Sequence, residues 1–282
     1  MSRGGIAGRG RTRTQRMGQN FLASREVSSR IVDSLGDLSG AHVLEIGPGR
    51  GAITGLLAER SAGLTAVELD SRLAAAMADY YAASEKVTIL NRDILQFDLA
   101  GWARSCAPLE PIVVGNIPYS ITNDLLHGLI AVRDDLGRVV LMVQEEVARK
   151  VTATPGGKPY GMISVLCACH ASPEYLFSVK RGNFVPPPKV DSAVIQLDFN
   201  SPSRSRPADY SRFDYLVRRL FEDRRKQVQK VLRKGSRFSL SAEDIEQLAV
   251  SSGVELSRRP EELSVDDFAR LADSLAPFDT PA

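Results

Sequence analysis

The chain has 282 residues, with 36 Lys+Arg against 34 Asp+Glu and three Cys. Hydrophobic residues at 43% and charged residues at 25% exclude a disordered, collagenous or disulfide-stapled chain and leave ample length for a core. No apolar run reaches the ~18 residues of a membrane span and no apolar leader follows the N-terminus, so the chain reads as a reduced, soluble, cytoplasmic protein. In chain order, residues 1–19 read as a flexible basic arm, and residues 1–25 carry six Arg and no acid. Arg-richness also suits a transit peptide, but the arm has one Ser and no apolar helical face. His42–Ile46 is a short buried strand ending in Gly47-Pro48-Gly49-Arg50-Gly51, and Ile53, Leu56 and Leu57 put one apolar face on a following helix. Leu64–Val67 is the next strand, Ser71 opens an Ala-rich helix through Tyr80, and Val87–Leu90 and Ile112–Val114 are further strands. A helix over Ile121–Val132 precedes the strand Arg138–Val143. Strands alternating with helices predict an α/β fold, a parallel sheet covered on both faces.

Lys189–Phe199 alternates apolar and polar residues, which predicts a strand with one wetter face at an antiparallel edge. Ser201–Pro207 reads as a linker. Beyond it, Phe213, Leu216, Val217, Leu220, Phe221, Val228, Val231 and Leu232 recur at helical spacing. Ser241 and Ser264, each followed by acids, mark helix N-termini. The division is an arm (1–19), an α/β domain (20–200) and a small all-helical domain (208–282), with no internal repeat.

The glycine cluster carries the first chemical signal. Glycines at a strand-to-helix turn allow a cofactor close to the backbone. Glu68, 21 residues beyond Gly47 at the end of the next strand, is placed to bind both hydroxyls of a ribose. Asp93 follows the third strand at the same edge, placed to accept from an adenine amino group. A dinucleotide loop reads G-x-G-x-x-G, with a pyrophosphate on the helix N-terminus. Here the spacing is G-x-G-x-G after an acid, which suits S-adenosylmethionine and a Rossmann-like methyltransferase sheet. The bland alternative is a pair of exposed loop acids.

Asn116-Ile117-Pro118-Tyr119 follows the fourth strand and matches the N/D-P/I/L-P-Y/F/W pattern of enzymes that methylate an exocyclic amino nitrogen. The N6 lone pair of adenine is delocalised into the ring and is a poor nucleophile. Two acceptors, the Asn116 side-chain oxygen and the Ile117 carbonyl, favour a more tetrahedral nitrogen with its lone pair free. Pro118 restricts Ile117 to extended conformations and so fixes that carbonyl. Tyr119 offers a face on which an unpaired base stacks, worth ~1–3 kcal/mol. The bland alternative here is a turn with a packed Tyr.

With these residues in order, the chain resembles the small-subunit ribosomal RNA adenine N6,N6-dimethyltransferases of the KsgA type. Gly18-Gln19-Asn20-Phe21-Leu22 resembles the family's N-terminal cofactor motif. Gln144–Ala148, Pro155–Gly161, Phe184–Ser192, Phe221–Lys226 and Arg259–Ser264 resemble later blocks, so the likeness spans roughly residues 16–272. The resemblance implies that four S-adenosylmethionine molecules dimethylate two adjacent adenines near the 3′ end of small-subunit rRNA, in the immature subunit, by a monomeric enzyme. It implies that Asn20 and Leu22 join Gly47, Gly49, Glu68, Asp93 and Asn116 around the cofactor. It also implies that Phe184 packs against the target adenine opposite Tyr119. Residues 201–237 hold twelve Lys+Arg against four acids, and residues 238–282 three against ten. A net charge of +2 therefore hides a basic stretch, and Arg218, Arg219, Arg224, Arg225 and Lys226 are expected to face rRNA phosphates. Cys167, Cys169 and His170 lack a second ligand pair, so neither metal nor covalent catalysis is expected. The nearest rivals are the large-subunit rRNA adenine methyltransferases of macrolide resistance and a ribosome-assembly or transcription factor on an enzyme scaffold.

Overall fold

The computed structural model of the chain describes residues 20–201, 206–234, 237–238 and 240–278; the basic arm 1–19 and most of the Ser/Pro/Arg linker lie outside them. In chain order the elements are β1 (Phe21–Leu22), α1 (Arg25–Asp33), β2 (Ala41–Ile46), α2 (Thr54–Arg60), β3 (Gly63–Glu68), α3 (Ser71–Tyr80), β4 (Val87–Asn91), α4 (Leu99–Ser105) and β5 (Glu110–Asn116). They continue with α5 (Thr122–Ala131), β6 (Arg138–Gln144), α6 (Glu145–Val151), α7 (Met162–His170), β7 (Ser172–Val179), β8 (Phe184–Val185) and β9 (Ser192–Asp198). The helices α8 (Tyr210–Glu222), α9 (Val228–Leu232), α10 (Ala242–Ser252) and α11 (Val265–Ser274) close the chain.

Seven strands form one sheet in the order β4-β3-β2-β5-β6-β9-β7. Strands β2 to β6 are parallel, and β9 runs antiparallel to both β6 and β7. The chain order reverses beside β2: β3 and β4 lie on one side, β5 and β6 on the other. In open α/β sheets the crevice at the carboxyl ends of the strands flanking such a reversal is where ligands bind. The glycine cluster leaves β2 and the Asn116 tetrapeptide leaves β5, so both signals meet there.

The continuous Val/Ile/Leu runs are explained by burial on two faces. Val43, Ile112, Val114, Val140, Met142 and Val194 pack on one side with α1 and α2. Leu44, Ile46, Val113, Val139, Leu141, Ile195 and Leu197 pack on the other. That second cluster runs without a break into Phe213, Leu216, Leu220, Phe268 and Leu271 of the terminal helices. The helical tail therefore shares a core with the sheet.

One expectation is corrected. The 189–199 segment is antiparallel, but β9 is interior, between β6 and β7, and the edge belongs to β7. Its sequence, Ser-Pro-Glu-Tyr-Leu-Phe-Ser-Val, breaks alternation where the β7–β9 register shifts between Tyr175 and Phe177. The polar face of β9 is only partly wet: Ser192 is 1% exposed and Val194 buried, while Gln196 and Asp198 are half-buried.

The helix starts follow the sequence signals. Ser241 Oγ accepts from Asp244 N–H at 3.1 Å while Asp244 accepts from Ser241 N–H at 2.8 Å. Ser264 and Asp267 repeat this reciprocal cap, each worth about 1 kcal/mol. The 155–161 segment is pinned to the tail: Tyr160 donates to the Leu263 carbonyl at 2.9 Å and Gly156 N–H to the Glu261 carbonyl at 2.8 Å. Among the described residues no helix is long and apolar enough to cross a membrane.

Candidate active site

At the end of β2 the chain turns through positive φ at Gly47 (64°) and Gly49 (59°). Gly49 is confined as well as twisted: a Cβ there would lie 3.0 Å from Phe21 Cδ1. Its N–H donates to Glu68 Oε2 at 3.0 Å, and Asp70 N–H donates to Oε1 at 2.8 Å. Glu68, 4% exposed, is thus held by one backbone donor on each oxygen. A carboxylate oxygen has a second lone pair, so both remain able to accept from a ligand hydroxyl. Asp93 caps the short turn Ile94–Gln96 by accepting from Leu95 N–H at 3.0 Å through Oδ1, which fixes the carboxylate beside the same crevice.

Asn116 is the last residue of β5, opposite Met142 of β6. The tetrapeptide is pinned by Ile117 N–H donating to the Met142 carbonyl at 3.0 Å. The turn closes on the Pro118 carbonyl, which accepts from Ile121 N–H at 3.1 Å and from the Thr122 hydroxyl at 3.3 Å. The Ile117 carbonyl takes no part in closing that turn. Asn116 Nδ2 donates to the Asn20 carbonyl at 3.1 Å. Tyr119 is anchored by its hydroxyl, 3.2 Å from Ser192 Oγ on β9. Phe184 is 3% exposed and sits on β8, whose partner is β1 in the register Leu22↔Phe184 and Phe21↔Val185.

A single cavity of about 330 Å³ is lined by Asn20, Leu22, Gly47, Gly49, Glu68, Asp93, Asn116, Ile117, Tyr119 and Phe184 together. All ten residues singled out around the cofactor and the base, scattered over 165 positions of sequence, therefore converge. The volume lies within the range of small-molecule sites. Glu45, Phe21, Arg50 and Ser192 fall inside the motifs read from the sequence, which assign none of them a role of its own. Glu45, Phe21 and Arg50 also line the cavity, and the Arg50 guanidinium lies 4.6 Å from the centre of the Phe21 ring. Glu45 is 1% exposed, and its Oε2 has no hydrogen-bond partner among the described residues. Burial pushes its carboxyl up to about 8, helped by the charge of Glu68. Its only sequence signal was an acid two residues before the first glycine of the loop.

The donor set fits S-adenosylmethionine, which carries a sulfonium, an ammonium, a carboxylate, a ribose and an adenine. Three carboxyl groups (Glu45, Glu68, Asp93) and two guanidinium groups (Arg50, Arg92) line the cavity. An orphaned buried carboxyl is what a cationic ligand would satisfy.

The expected phosphate-binding residues divide. Arg219 pairs with Glu222 at 3.2 Å and Asp223 at 3.5 Å, and Lys226 with Asp223 at 2.8 Å. Arg224 is bound to Glu261 at 2.5 Å and to the Lys158 carbonyl at 3.0 Å, so it ties the tail to the 155–161 segment. Arg218 and Arg225 are exposed. Cys167 and Cys169 are buried, and burial pushes both thiols up to about 12; the His170 ring lies 4.9 Å from that of Tyr210.

A sequence profile described as "Ribosomal RNA adenine dimethylase" matches residues 10–277. The protein named "Ribosomal RNA small subunit methyltransferase A" of Acidobacterium capsulatum is 40% identical over 256 residues, 91% of this chain and 89% of that one. The protein of the same name from Geobacter metallireducens is 37% identical over 270 residues, 96% and 98% of the two chains. Among solved structures, "23S rRNA methyltransferase ErmE" superposes with a TM-score of 0.70 at 26% identity, over 91% of this chain and 99% of that one. A "dimethyladenosine transferase from Plasmodium falciparum" gives 0.72 at 21% identity, over 89% and 95%, a likeness of fold. Sequence, fold and a cavity that joins a glycine loop to an Asn-Ile-Pro-Tyr turn agree: the chain belongs to the ribosomal RNA adenine dimethylase family of S-adenosylmethionine-dependent methyltransferases.

Proposed function

We propose that the protein dimethylates N6 of two adjacent adenines near the 3′ end of small-subunit rRNA, acting as a monomer on the immature subunit in the cytoplasm. The observation that carries this reading is the single cavity in which the cofactor loop, the Asn116 tetrapeptide and Phe184 meet. S-adenosylmethionine supplies an electrophilic methyl group on a sulfonium. Asn20, Leu22, Gly47, Gly49, Glu68 and Asp93 hold it, with Glu68 on the ribose and Asp93 on the adenine amino group. Asn116 Oδ1 and the Ile117 carbonyl accept from the target N6 amino group, which leaves its lone pair directed at the methyl. Tyr119, tethered to Ser192, and Phe184 form the two faces between which the unstacked adenine is held. No strong base is required, because the nitrogen sheds its proton readily once it is cationic; alignment provides most of the rate.

We assign residues 20–200 to the cofactor and chemistry and 208–282 to rRNA, with Arg218 and Arg225 as the direct phosphate contacts and Arg219, Arg224 and Lys226 as residues that shape that face. The small-subunit reading is favoured over the large-subunit one by identity of 37–40% to relatives named for the small subunit, against 26% to the 23S rRNA enzyme.

The test offers labelled S-adenosylmethionine with immature small or large subunits that lack adenine methylation. Label on the large subunit overturns the substrate, and no label on either overturns the enzyme reading. Asn116→Ala abolishes transfer and leaves rRNA binding within about twofold; equal loss of both would sink its assigned role.

A further inference from the structure

Strand β1 and its flanking residues touch the Asn116 amide, the glycine loop and the Phe184 strand. The Asn20 carbonyl, just before it, accepts from Asn116 Nδ2 at 3.1 Å. The Phe21 ring fills the space a side chain at Gly49 would need, beneath the Arg50 guanidinium. Leu22 pairs with Phe184 across the two-stranded ribbon, and Ala23 N–H clasps the Asn183 carbonyl at 2.8 Å. We propose that β1 is a positioning strap whose Asn20 carbonyl selects the orientation of the Asn116 side-chain amide, so that its oxygen, not its nitrogen, meets the amino group to be methylated. This rests on the reading of Asn116 as the acceptor for N6.

The need arises from the shape of a carboxamide. Its oxygen and NH₂ are nearly the same size, so a half-turn exchanges acceptor for donor without moving anything else. The target amino group requires an acceptor, and the flipped amide would oppose two donors. A backbone carbonyl only accepts. Set against Nδ2, it holds the NH₂ to one side and leaves Oδ1 for the substrate. The carbonyl is itself held by the ribbon with β8, by the ring under the glycine loop and by the Ala23–Asn183 clasp. Cofactor loop, acceptor and base-stacking Phe184 are thus set by one short segment.

The chemistry separates this role from general support. An aspartate has two equivalent oxygens and no donor to mis-aim, and the tetrapeptide pattern admits Asp at its first position, although one of its oxygens would then oppose the Asn20 carbonyl. Damage to the strap therefore costs rate when residue 116 is Asn, and costs little or restores rate when it is Asp.

Ala23 is exposed and lies outside the cavity, so Ala23→Pro removes the clasping N–H without touching a ligand. Ala23→Ser keeps that N–H and serves as the conservative rescue. Turnover and the KM for S-adenosylmethionine are measured on immature small subunits with either residue at 116. Ala23→Pro lowers kcat about tenfold or more with Asn116, the size of one hydrogen bond at the reacting group, with KM within about threefold. In the Asn116→Asp background the loss is less than about threefold, and Ala23→Ser stays within about twofold in both. Equal losses in the two backgrounds, or none with Asn116, overturn the strap. A second measurement does not depend on Ala23→Pro folding. In the intact protein labelled with ¹⁵N, one Asn116 Nδ2 proton exchanges slowly with solvent and lies near Asn20; rapid exchange of both overturns the proposal. Normal transfer by Asn116→Ala would instead overturn the acceptor reading beneath it.

Discussion

Gly49→Ala perturbs the cofactor loop at its tightest point. The position has φ of 59°, and its new Cβ would stand 3.0 Å from Phe21 Cδ1. The left-handed conformation costs a non-glycine residue roughly 1–2 kcal/mol, and overpacking against a ring held by Arg50 adds about 1–3 kcal/mol. A total near 2–5 kcal/mol must appear somewhere. If the loop relaxes when empty, binding must restore it and the cost appears as affinity, about 30- to 4,000-fold at 1.4 kcal/mol per decade. If it does not relax, the same cost appears as stability, at roughly 2–4 °C in Tm per kcal/mol for a chain this long. Calorimetric titration with S-adenosylmethionine and a thermal melt of the same sample capture both. Gly40→Ala is the control, because no atom lies within 4 Å of its built Cβ and its φ is ordinary. The reasoning fails if Gly49→Ala binds within about twofold of wild type with an unchanged Tm, since neither strain nor clash would then exist.

Two further outcomes follow from other parts of the molecule. Glu45, with a folded carboxyl near 8 against an ordinary 4.5, keeps its proton in the fold and loses it on unfolding. The folded state binds more protons between about pH 4.5 and 8, so the unfolding free energy falls as pH rises through that window, by several kcal/mol at ~1.4 per unit. Glu45→Gln flattens that slope in denaturant titrations at pH 5, 6.5 and 8, and an unchanged slope refutes the buried neutral carboxyl. In the basic stretch, removing Arg218 and Arg225 together reduces the salt dependence of rRNA binding by about one to two in log–log slope. Arg224→Ala lowers Tm because it breaks the link between Glu261 and Lys158. The reverse pattern would exchange their roles.

The parallel half of the sheet was legible because Val, Ile and Leu runs recur at each strand and are separated by helical spacing or glycine. The ten cavity residues were legible because loop, acids and tetrapeptide follow β2 to β5 in order, and the family resemblance added Asn20, Leu22 and Phe184. The edge strand β7 was hidden by Pro173 and Glu174 and by the register shift near Tyr175. Glu45 was hidden for another reason. Its residue type says exposed, and only the closing of β3 and β5 on either side of β2 removes it from water. Ser192 and the Asn20 carbonyl matter through contacts 73 and 96 residues away, and no local pattern encodes them.

Charge shows the same limit from the other side. By sequence, a block of twelve Lys+Arg against four acids is followed by three against ten, which looks like a basic grip beside an acidic tail. In the fold those blocks share a core, and much of the acid is spent internally. Asp244 and Asp267 cap helices, Asp273 accepts from Ala208 N–H, and Glu261 holds Arg224. Asp223 draws in Arg219 and Lys226. Cations already satisfied must break those pairs before they meet a phosphate, and exposed pairs of this kind are weak, about 0–1 kcal/mol. The exposed Arg225, Lys230, Arg233 and Lys234 carry no such cost, having no ion pair among the described residues, and Arg218, likewise without an ion pair there, is held only by the charge of Asp214. The surface proposed for rRNA is therefore better defined by which cations remain unpaired than by where the basic residues cluster in the chain.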